Sequence, residues 1–474
     1  MDSRRGVGRL TVLLASGLLV TVSACAVKAP PDTAELRSEA MPSAAIPTHW
    51  TAAGAAAGVV GDNWVVSFQD DQLVLAVSEA IAHNADLRVG ASRVEQALLQ
   101  ARMAGAKLYP SADLLARGGT KMSGDGSGLQ GGVFTVNWEL DLWARVRSGR
   151  AAAAADAMSV ATDYEYARQS VAALVARSWF LATEASLQGE LARAAVADVE
   201  AMVRLAETRA KVGVGNEEDV YIARASVGTT LDTLRQIELA REQAIRALEL
   251  VLGRYPAAVA GIRGQLPVQP APIPAGLPSE LLERRPDVVA AERRVAAAFH
   301  RIQEAKAARL PAITLTTGVS SISSELFVLQ DHENPVWNLG ANLLAPIYKG
   351  GALRTQVKIR TAEQKVAVAA YAAVGLRAFG EVENALSGEI AARDRERILA
   401  QSVADSRRAL EIVQSQYKVG STDLRAVTQR QLALNANQSA LVRVQTEQRV
   451  QRVNLHLALG GSFEPRPAPP TTTP

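Results

Sequence analysis

The feature that most constrains this chain is that it repeats itself. The segment SEAIAHNADLRVGASRVEQALLQARMAGAKLYP, residues 78–110, aligns without gaps to SELLERRPDVVAAERRVAAAFHRIQEAKAARLP, residues 279–311, at a shift of 201. It pairs Ser78 with Ser279, Glu79 with Glu280, Asp86 with Asp287, Arg93 with Arg294, Val94 with Val295 and Pro110 with Pro311. Further on, Lys211-Val212-Gly213 matches Lys418-Val419-Gly420, and Leu252-Gly253 matches Leu459-Gly460, both at a shift of 207. A nearly constant offset over such a distance is the signature of a tandem duplication. The fold must then be assembled from two copies of one unit, residues 61–253 and 279–461, joined by a Pro-rich linker at 254–278.

Each copy reads in the same order. A helix stops at Tyr109-Pro110 and at Leu310-Pro311, because the residue before proline is pushed out of the helical region. Two strand-like stretches follow, at about 111–122 and 129–142 in the first copy and about 312–322 and 336–346 in the second. In FTVNWELDL the residues Phe134, Val136, Trp138, Leu140 and Leu142 alternate with Thr135, Asn137, Glu139 and Asp141, a period of two with one apolar and one wet face. Ile313, Leu315 and Val319 share a face in the same way, as do Trp337, Leu339, Ala341 and Leu343.

Proline-free stretches come next, from about Val146 to Lys211 and from Gly351 to Lys418. Helices of ~65 residues would reach ~100 Å at 1.5 Å per residue. Each ends in a glycine turn, KVGVGN (tip about 212–217) and KVGST (tip about 419–422), and returns as a second helix. Positions 171, 174, 178, 181, 185, 188, 192, 195, 199 and 202 have the 3-4 spacing of a coiled-coil seam. A second seam, Val288, Ala291, Val295, Ala298, Ile302 and Ala305, runs down the arginine-rich segment 281–301, which reads as a hinge whose arginines form its wet side.

Composition excludes several function classes. With 51 basic and 48 acidic residues, no net field draws in nucleic acid. The five histidines have no partner at metal-ligand spacing, no nucleophile–base order stands near a suitable turn, and GLQGG at 128–132 is not followed by Lys-Ser/Thr. The chain reads as a non-enzyme without cofactor or metal.

The N-terminal segment 1–24 has Arg4, Arg5 and Arg9 before an apolar run from Leu10 to Val22, as in a signal peptide. Val22-Ser23-Ala24-Cys25 follows, and Cys25 is the one cysteine of the chain. Small residues before such a cysteine resemble a bacterial lipobox, in which the thiol takes a diacylglycerol and the new N-terminus an acyl chain. Ala26, rather than Asp, fits sorting to the outer membrane. Residues 25–60 then read as a lipidated extended segment and 462–474 as a disordered Pro/Thr tail.

Four amphipathic strands cannot span a membrane alone, since open edges leave backbone groups unpaired in lipid. Spanning strands require copies to close a barrel, and three copies would supply twelve strands. The alternative is a soluble β-hairpin capping a non-conducting periplasmic coiled coil, a structural or adhesive lipoprotein.

At this point the sequence resembles the outer-membrane factors of tripartite efflux pumps, of TolC and OprM type. Trp64, Phe68, Asp70, Leu73, Ala76, Val77, Ala80, Asn84, Asp86 and Leu87 look like the family's first helix. WELDLWARVR (138–147) is close to its Trp-Glu-Leu-Asp-Leu-Trp-Gly-Arg, with Ala144 for Gly. LLERRPDVVAAE (281–292) carries its Arg-Arg-Pro-Asp, and VNLHLALGG (453–461) its closing Leu-Gly-Gly. The resemblance implies a mainly α, tandem-repeat fold of long helical hairpins with four strands per chain. It implies a homotrimer that closes a 12-stranded barrel in outer-membrane lipid and an α-helical barrel projecting into the periplasm. The partners implied are a periplasmic adaptor and an inner-membrane pump of the resistance-nodulation-division type, and the cargo is drugs or other toxic small molecules. Type I secretion or metal efflux are alternatives within transport.

The turns at Val212-Gly213 and Val419-Gly420 look like the tips that meet the adaptor, and both are also ordinary helix C-caps. The family's Asp-Ala-Gln-Arg gate motif is altered here: an ungapped alignment puts Gln429 at the Asp position and Leu432 at the Arg position. Asp423 and Arg425 lie nearby and are the alternative gate residues beside Gln429. Glu217, Glu218 and Asp219 fit either as partners of a helix N-terminus or as a cation-selective entrance.

Overall fold

Both copies of the repeat fold alike. The computed structural model describes residues 27–52, 60–117, 130–262, 264–276, 278–323 and 336–465. Cys25 with the signal segment, and residues 466–474 of the tail, lie outside the described residues. After a short helix α1 (Thr33–Ala40), the first copy runs α2 (Asp71–His83), α3 (Ala85–Ala106), β1 (Ser111–Arg117), β2 (Gln130–Leu140), α4 (Arg145–Lys211) and α5 (Glu217–Leu252). The second runs α6 (Leu281–Arg284), α7 (Pro286–Ala307), β3 (Ala312–Ser323), β4 (Val336–Leu344), α8 (Ala352–Lys418) and α9 (Leu424–Ala458). Helices α4 and α8 have 67 residues each, as a proline-free, alanine-rich sequence allows.

The residues separate into two compact units. One comprises the described parts of Met1–Ala44, Ser92–Thr162 and Val289–Val374. It holds an antiparallel sheet in the order β1-β2-β3-β4. The β1–β2 and β3–β4 pairs are internal to each copy, and the β2–β3 pair joins the copies, from Gln130↔Ser323 to Leu140↔Ile313. Gly318 is required in that pairing, because a Cβ there would lie 2.6 Å from the Phe134 carbonyl oxygen. The 118–122 part of the first expected strand lies outside the described residues, and Leu142 falls beyond the end of β2.

The other unit comprises Ala45–Ala91, Asp163–Val288 and the described part of Gly375–Pro474. Its core gathers Trp64, Phe68, Leu73, Val77, Val175, Phe180, Leu248 and Val453. Asp70 anchors this core by accepting hydrogen bonds from the backbone of Gln72 at 3.0 Å and from Trp179 Nε1 at 3.0 Å. The segment 254–278 is irregular, but it is pinned. Buried Glu249 accepts the backbone N–H groups of Ala258, Val259 and Ala260 at 2.7–2.9 Å. Arg449 donates to the Pro267 carbonyl at 2.6 Å, and buried Arg452 donates to the carbonyls of Pro270 and Ala271.

Three sequence expectations need correction. Within 25–60, read as extended, Thr33–Ala40 is helical, its first turn capped by Asp32 accepting from the Glu35 backbone at 2.8 Å. The α4 seam is displaced over its first half: Leu174 and Leu181 are exposed, whereas Ala172, Ala176, Trp179, Ala182 and Ser186 are buried. Only further along, at Ala192 and Ala195, does the buried line meet the expected one. In this stretch the helix also buries Val175 and Phe180, a face broader than a single 3-4 line and set to one side of it. The α7 seam does lie inside, with all six of its residues buried, but Arg285 is not on a wet side, being 1 % exposed.

Candidate functional site

The sheet has two chemically distinct faces, and strand register decides them. Paired residues project to the same side, so Leu114, Phe134, Val319 and Trp337 form one row across all four strands. Trp138, Leu315 and Ala341 form a parallel row on that face, as do Leu140, Ile313 and Leu343. The opposite face carries Asp113, Thr135 and Asn338, then Asn137 and Thr316, then Glu139, Thr314 and Asn342. There Thr316 Oγ1 donates to Asn137 Oδ1 at 3.0 Å and accepts from Asn342 Nδ2 at 3.4 Å, a polar ladder across the strands. The apolar face is uncovered in the single chain, with Trp337 at 77 % and Leu339 at 84 % exposure. Trp138 Nε1 donates to the Leu108 carbonyl at 3.0 Å and Trp143 Nε1 to that of Pro311 at 2.6 Å, leaving each indole with an apolar body and a satisfied polar end. Within the described residues β1 and β4 each have one unpaired edge.

In the other unit the two turns lie together. Helix α4 ends at Lys211 and Gly213 follows at φ +75°; α8 ends at Lys418 and Gly420 follows at φ +80°. Such values favour glycine, which explains Gly at both tips. Val212 and Val419 are exposed beside them. The return helices are capped at equivalent positions, by Asn216 accepting from the Asp219 backbone at 2.8 Å and by Asp423 accepting from that of Ala426 at 2.9 Å.

Charged groups of the first turn grip the second. Arg209 donates to the carbonyls of Tyr417 (2.7 Å) and Lys418 (3.1 Å), and its guanidinium lies 4.7 Å from the Tyr417 ring centre. The Tyr417 hydroxyl donates to Asp219 at 3.2 Å; burial, with the Asp219 charge, raises its pKa. Arg425 pairs with Glu218, both largely exposed. Of the anticipated gate residues, Asp423 is therefore a helix cap, Arg425 joins this clasp, and Gln429 is exposed. The amide that is buried here is Gln431, donating to Asp198 and Asn435 at 3.2 Å each. Arg209 and Tyr417 carried no signal in the sequence beyond their nearness to the helix ends.

A third cluster surrounds Arg285. Its Nε and Nη2 donate to the two oxygens of Asp287 at 2.8 and 3.0 Å, Nη2 also to Tyr166 Oη at 3.2 Å, and Nη1 to the Ala458 carbonyl at 3.3 Å. Glu381 completes the ion pairs at 2.5 Å. Burial opposes the charge, but Asp287, Tyr166 and Glu381 outweigh it and raise the arginine's pKa. The position is duplicated: Asn84, at the matching place, donates to the Val251 carbonyl at 3.1 Å.

Among the described residues no helix is long and apolar enough to cross a membrane, and no group of three or more His, Cys, Asp or Glu is placed to hold a metal ion. A sheet that is apolar on one side and polar on the other, carried by duplicated helical hairpins, defines a channel-type outer-membrane protein. The particular family follows from comparison with known proteins. The family model described as outer membrane efflux protein matches residues 76–254 and 277–461. The chain is 30 % identical over 444 residues to the pyoverdine export outer membrane protein OpmQ of Pseudomonas aeruginosa, covering 89 % of this chain and 92 % of that one. It is 29 % identical over 417 residues to the probable outer membrane lipoprotein SilC of Salmonella typhimurium, covering 84 % and 88 %. The solved structure of the outer membrane protein VceC from Vibrio cholerae superposes with a TM-score of 0.77 at 25 % identity, over 86 % of this chain and all of that one. The chain belongs to the outer membrane efflux protein family and is a channel component of an efflux system in the outer membrane.

Proposed function

We propose that three copies of the chain close into a passive conduit that carries small toxic molecules outward across the outer membrane. The observation that carries this is the two-faced sheet with its two unpaired edges. In lipid those edges must pair, and edge-to-edge joining of β4 to the β1 of another copy satisfies them. Two copies would give eight strands, whose interior side chains fill. Three give twelve, leaving water for the ladder of Asn137, Thr316 and Asn342 while Trp337 and Leu339 face lipid.

The remaining assignments support one machine. Lipidation of Cys25, with S-diacylglycerol and N-acyl chains, anchors each copy in the outer membrane; three chains at ~0.8 kcal/mol per buried CH2 hold firmly. The tips at Val212-Gly213 and Val419-Gly420 meet a periplasmic adaptor, which brings cargo from an inner-membrane pump of the resistance-nodulation-division type. The clasp of Arg209, Tyr417, Asp219, Glu218 and Arg425 holds the periplasmic end narrow until the adaptor displaces it. Cysteines on the same face of the facing edges, Leu114→Cys with Leu343→Cys in a Cys25-retaining chain, test the closure. Oxidation is expected to give covalent trimers in membranes; dimers or uncrosslinked monomers would defeat it.

A further inference from the structure

We propose that the groove between α4, α5 and α9 is a binding site for small amphipathic organic amines. It is a cavity of about 350 Å3, at the small end of the range for organic ligands. Its walls are apolar, built by Val199 and Met202 of α4, Ile222 and Ala223 of α5, and Val427 and Leu432 of α9.

The polar atoms that line it decide the ligand's chemistry. Ser226, Thr229, Thr230 and Thr428 donate their hydroxyl hydrogens to carbonyls one turn back on their own helices, at 2.8–3.2 Å. The Gln431 amide nitrogen is occupied by Asp198 Oδ2 and Asn435 Oδ1. Apart from the Asn435 amide nitrogen, the side chains offer acceptor lone pairs rather than donors. Asp198 carries the site's charge, and no lysine or arginine is among the described residues that line it. An occupant must therefore bring an apolar body and a positively charged donor. A protonated amine supplies both, its ammonium on the free lone pairs of Asp198 and its body against Met202 and Leu432. A carboxylate would meet Asp198 as a like charge, and a neutral alcohol would forgo the charge-assisted bond.

The site is tested by binding, whatever the channel conducts. Full-length protein in lipid nanodiscs, free of detergent that would fill the groove, is titrated calorimetrically with naphthylmethylammonium. Naphthylmethanol, naphthylacetate and a lysine-bearing helical peptide are the comparison probes. The amine is expected to bind saturably, and the alcohol and carboxylate at least tenfold more weakly. Asp198→Asn should weaken the amine about tenfold. Ser226→Phe should abolish binding by filling the groove, and exposed Leu432→Gln, which leaves the core untouched, should weaken it several-fold. Equal binding of amine and alcohol would overturn the proposal. So would an unchanged affinity in Asp198→Asn, binding that survives both groove variants, or binding of the peptide without the amine.

Discussion

The two repeats solve the same joints with different chemistry. At the entry to the helix that leads into each strand pair, α3 and α7, the first copy uses a neutral amide, Asn84 on the Val251 carbonyl, and the second a buried guanidinium, Arg285 on the equivalent Ala458 carbonyl. At the closing turn, Gly253 at φ +79° lies against the His83 carbonyl and Gly460 at φ +70° against that of Arg284. Buried Glu249 in the first copy stands where buried His456 stands in the second. The tips share their glycines and caps, but acids follow the first cap and Leu424-Arg425-Ala426 the second. Duplication preserved the backbone, where sterics leave few options, and let the charges diverge until one copy could hold the other.

The largest expected effect separates the two entry joints. Arg285→Ala leaves Asp287 and Glu381 without their cation and should cost about 3–5 kcal/mol. Asn84 Oδ1 also caps α3 by accepting the Asp86 and Leu87 N–H groups at 2.9 and 3.2 Å, so Asn84→Ala removes a cap and one hydrogen bond and should cost about 1–2 kcal/mol. Thermal unfolding of both variants checks the ranking; equal losses would erase the distinction between the joints.

The second contrast is in pH. Burial, with Arg452 nearby, lowers the His456 pKa from 6.5 to about 3. The unfolded chain therefore takes up this proton first, and the neutral histidine's contribution is complete above about pH 6.5 and lost as pH falls toward 3. Glu249 is also depressed: burial raises it, but the backbone donors Ala258, Val259 and Ala260 lower it further. Its contribution survives until pH drops below the ordinary 4.5. Melting curves of His456→Phe should lose the acid sensitivity that begins near neutrality, on the order of 3 kcal/mol by pH 4. Glu249→Gln should lose only that which begins below 4.5.

Smaller again is the glycine pair. Alanine at Gly253 would place its Cβ 2.9 Å from the His83 carbonyl oxygen, whereas at Gly460 the nearest atom is 3.2 Å away. Both variants are strained at positive φ and should lose about 1–2 kcal/mol, Gly253→Ala the more. The smallest effect is the Arg425–Glu218 pair, whose side chains are 68 % and 59 % exposed. A double-mutant cycle should return under about 1 kcal/mol and shrink with salt; a larger coupling would make it a structural tie.

What was legible in the sequence follows the same division. The strand faces were readable because a period of two needs only neighbours along the chain, and Phe134, Trp138 and Leu315 lie where alternation put them. The tip glycines were readable because positive φ leaves a compositional mark. Arg285 was not, because Tyr166 and Glu381 reach it from distant helices and local charge patterning suggests solvent. The α4 register was missed because a single 3-4 line cannot describe a helix that buries a broad face, Ala172, Val175, Ala176, Trp179 and Phe180 among it, while Leu174 and Leu181 lie outward in the single chain. The clasp was only half legible: Arg425 and the acids at 217–219 stood out, but nothing linked them across the two copies.

The central claim, that one repeat's tip holds the other's closed at the end of a conduit, is tested most directly by single-channel recording. Purified wild-type protein in planar bilayers should show discrete but rarely open conductance steps. Arg209→Ala combined with Glu218→Ala and Asp219→Ala, which removes the first tip's grip and leaves both caps in place, should raise conductance or open probability severalfold. Wild-type protein without steps, or a clasp-free variant that conducts as the wild type does, would contradict the account.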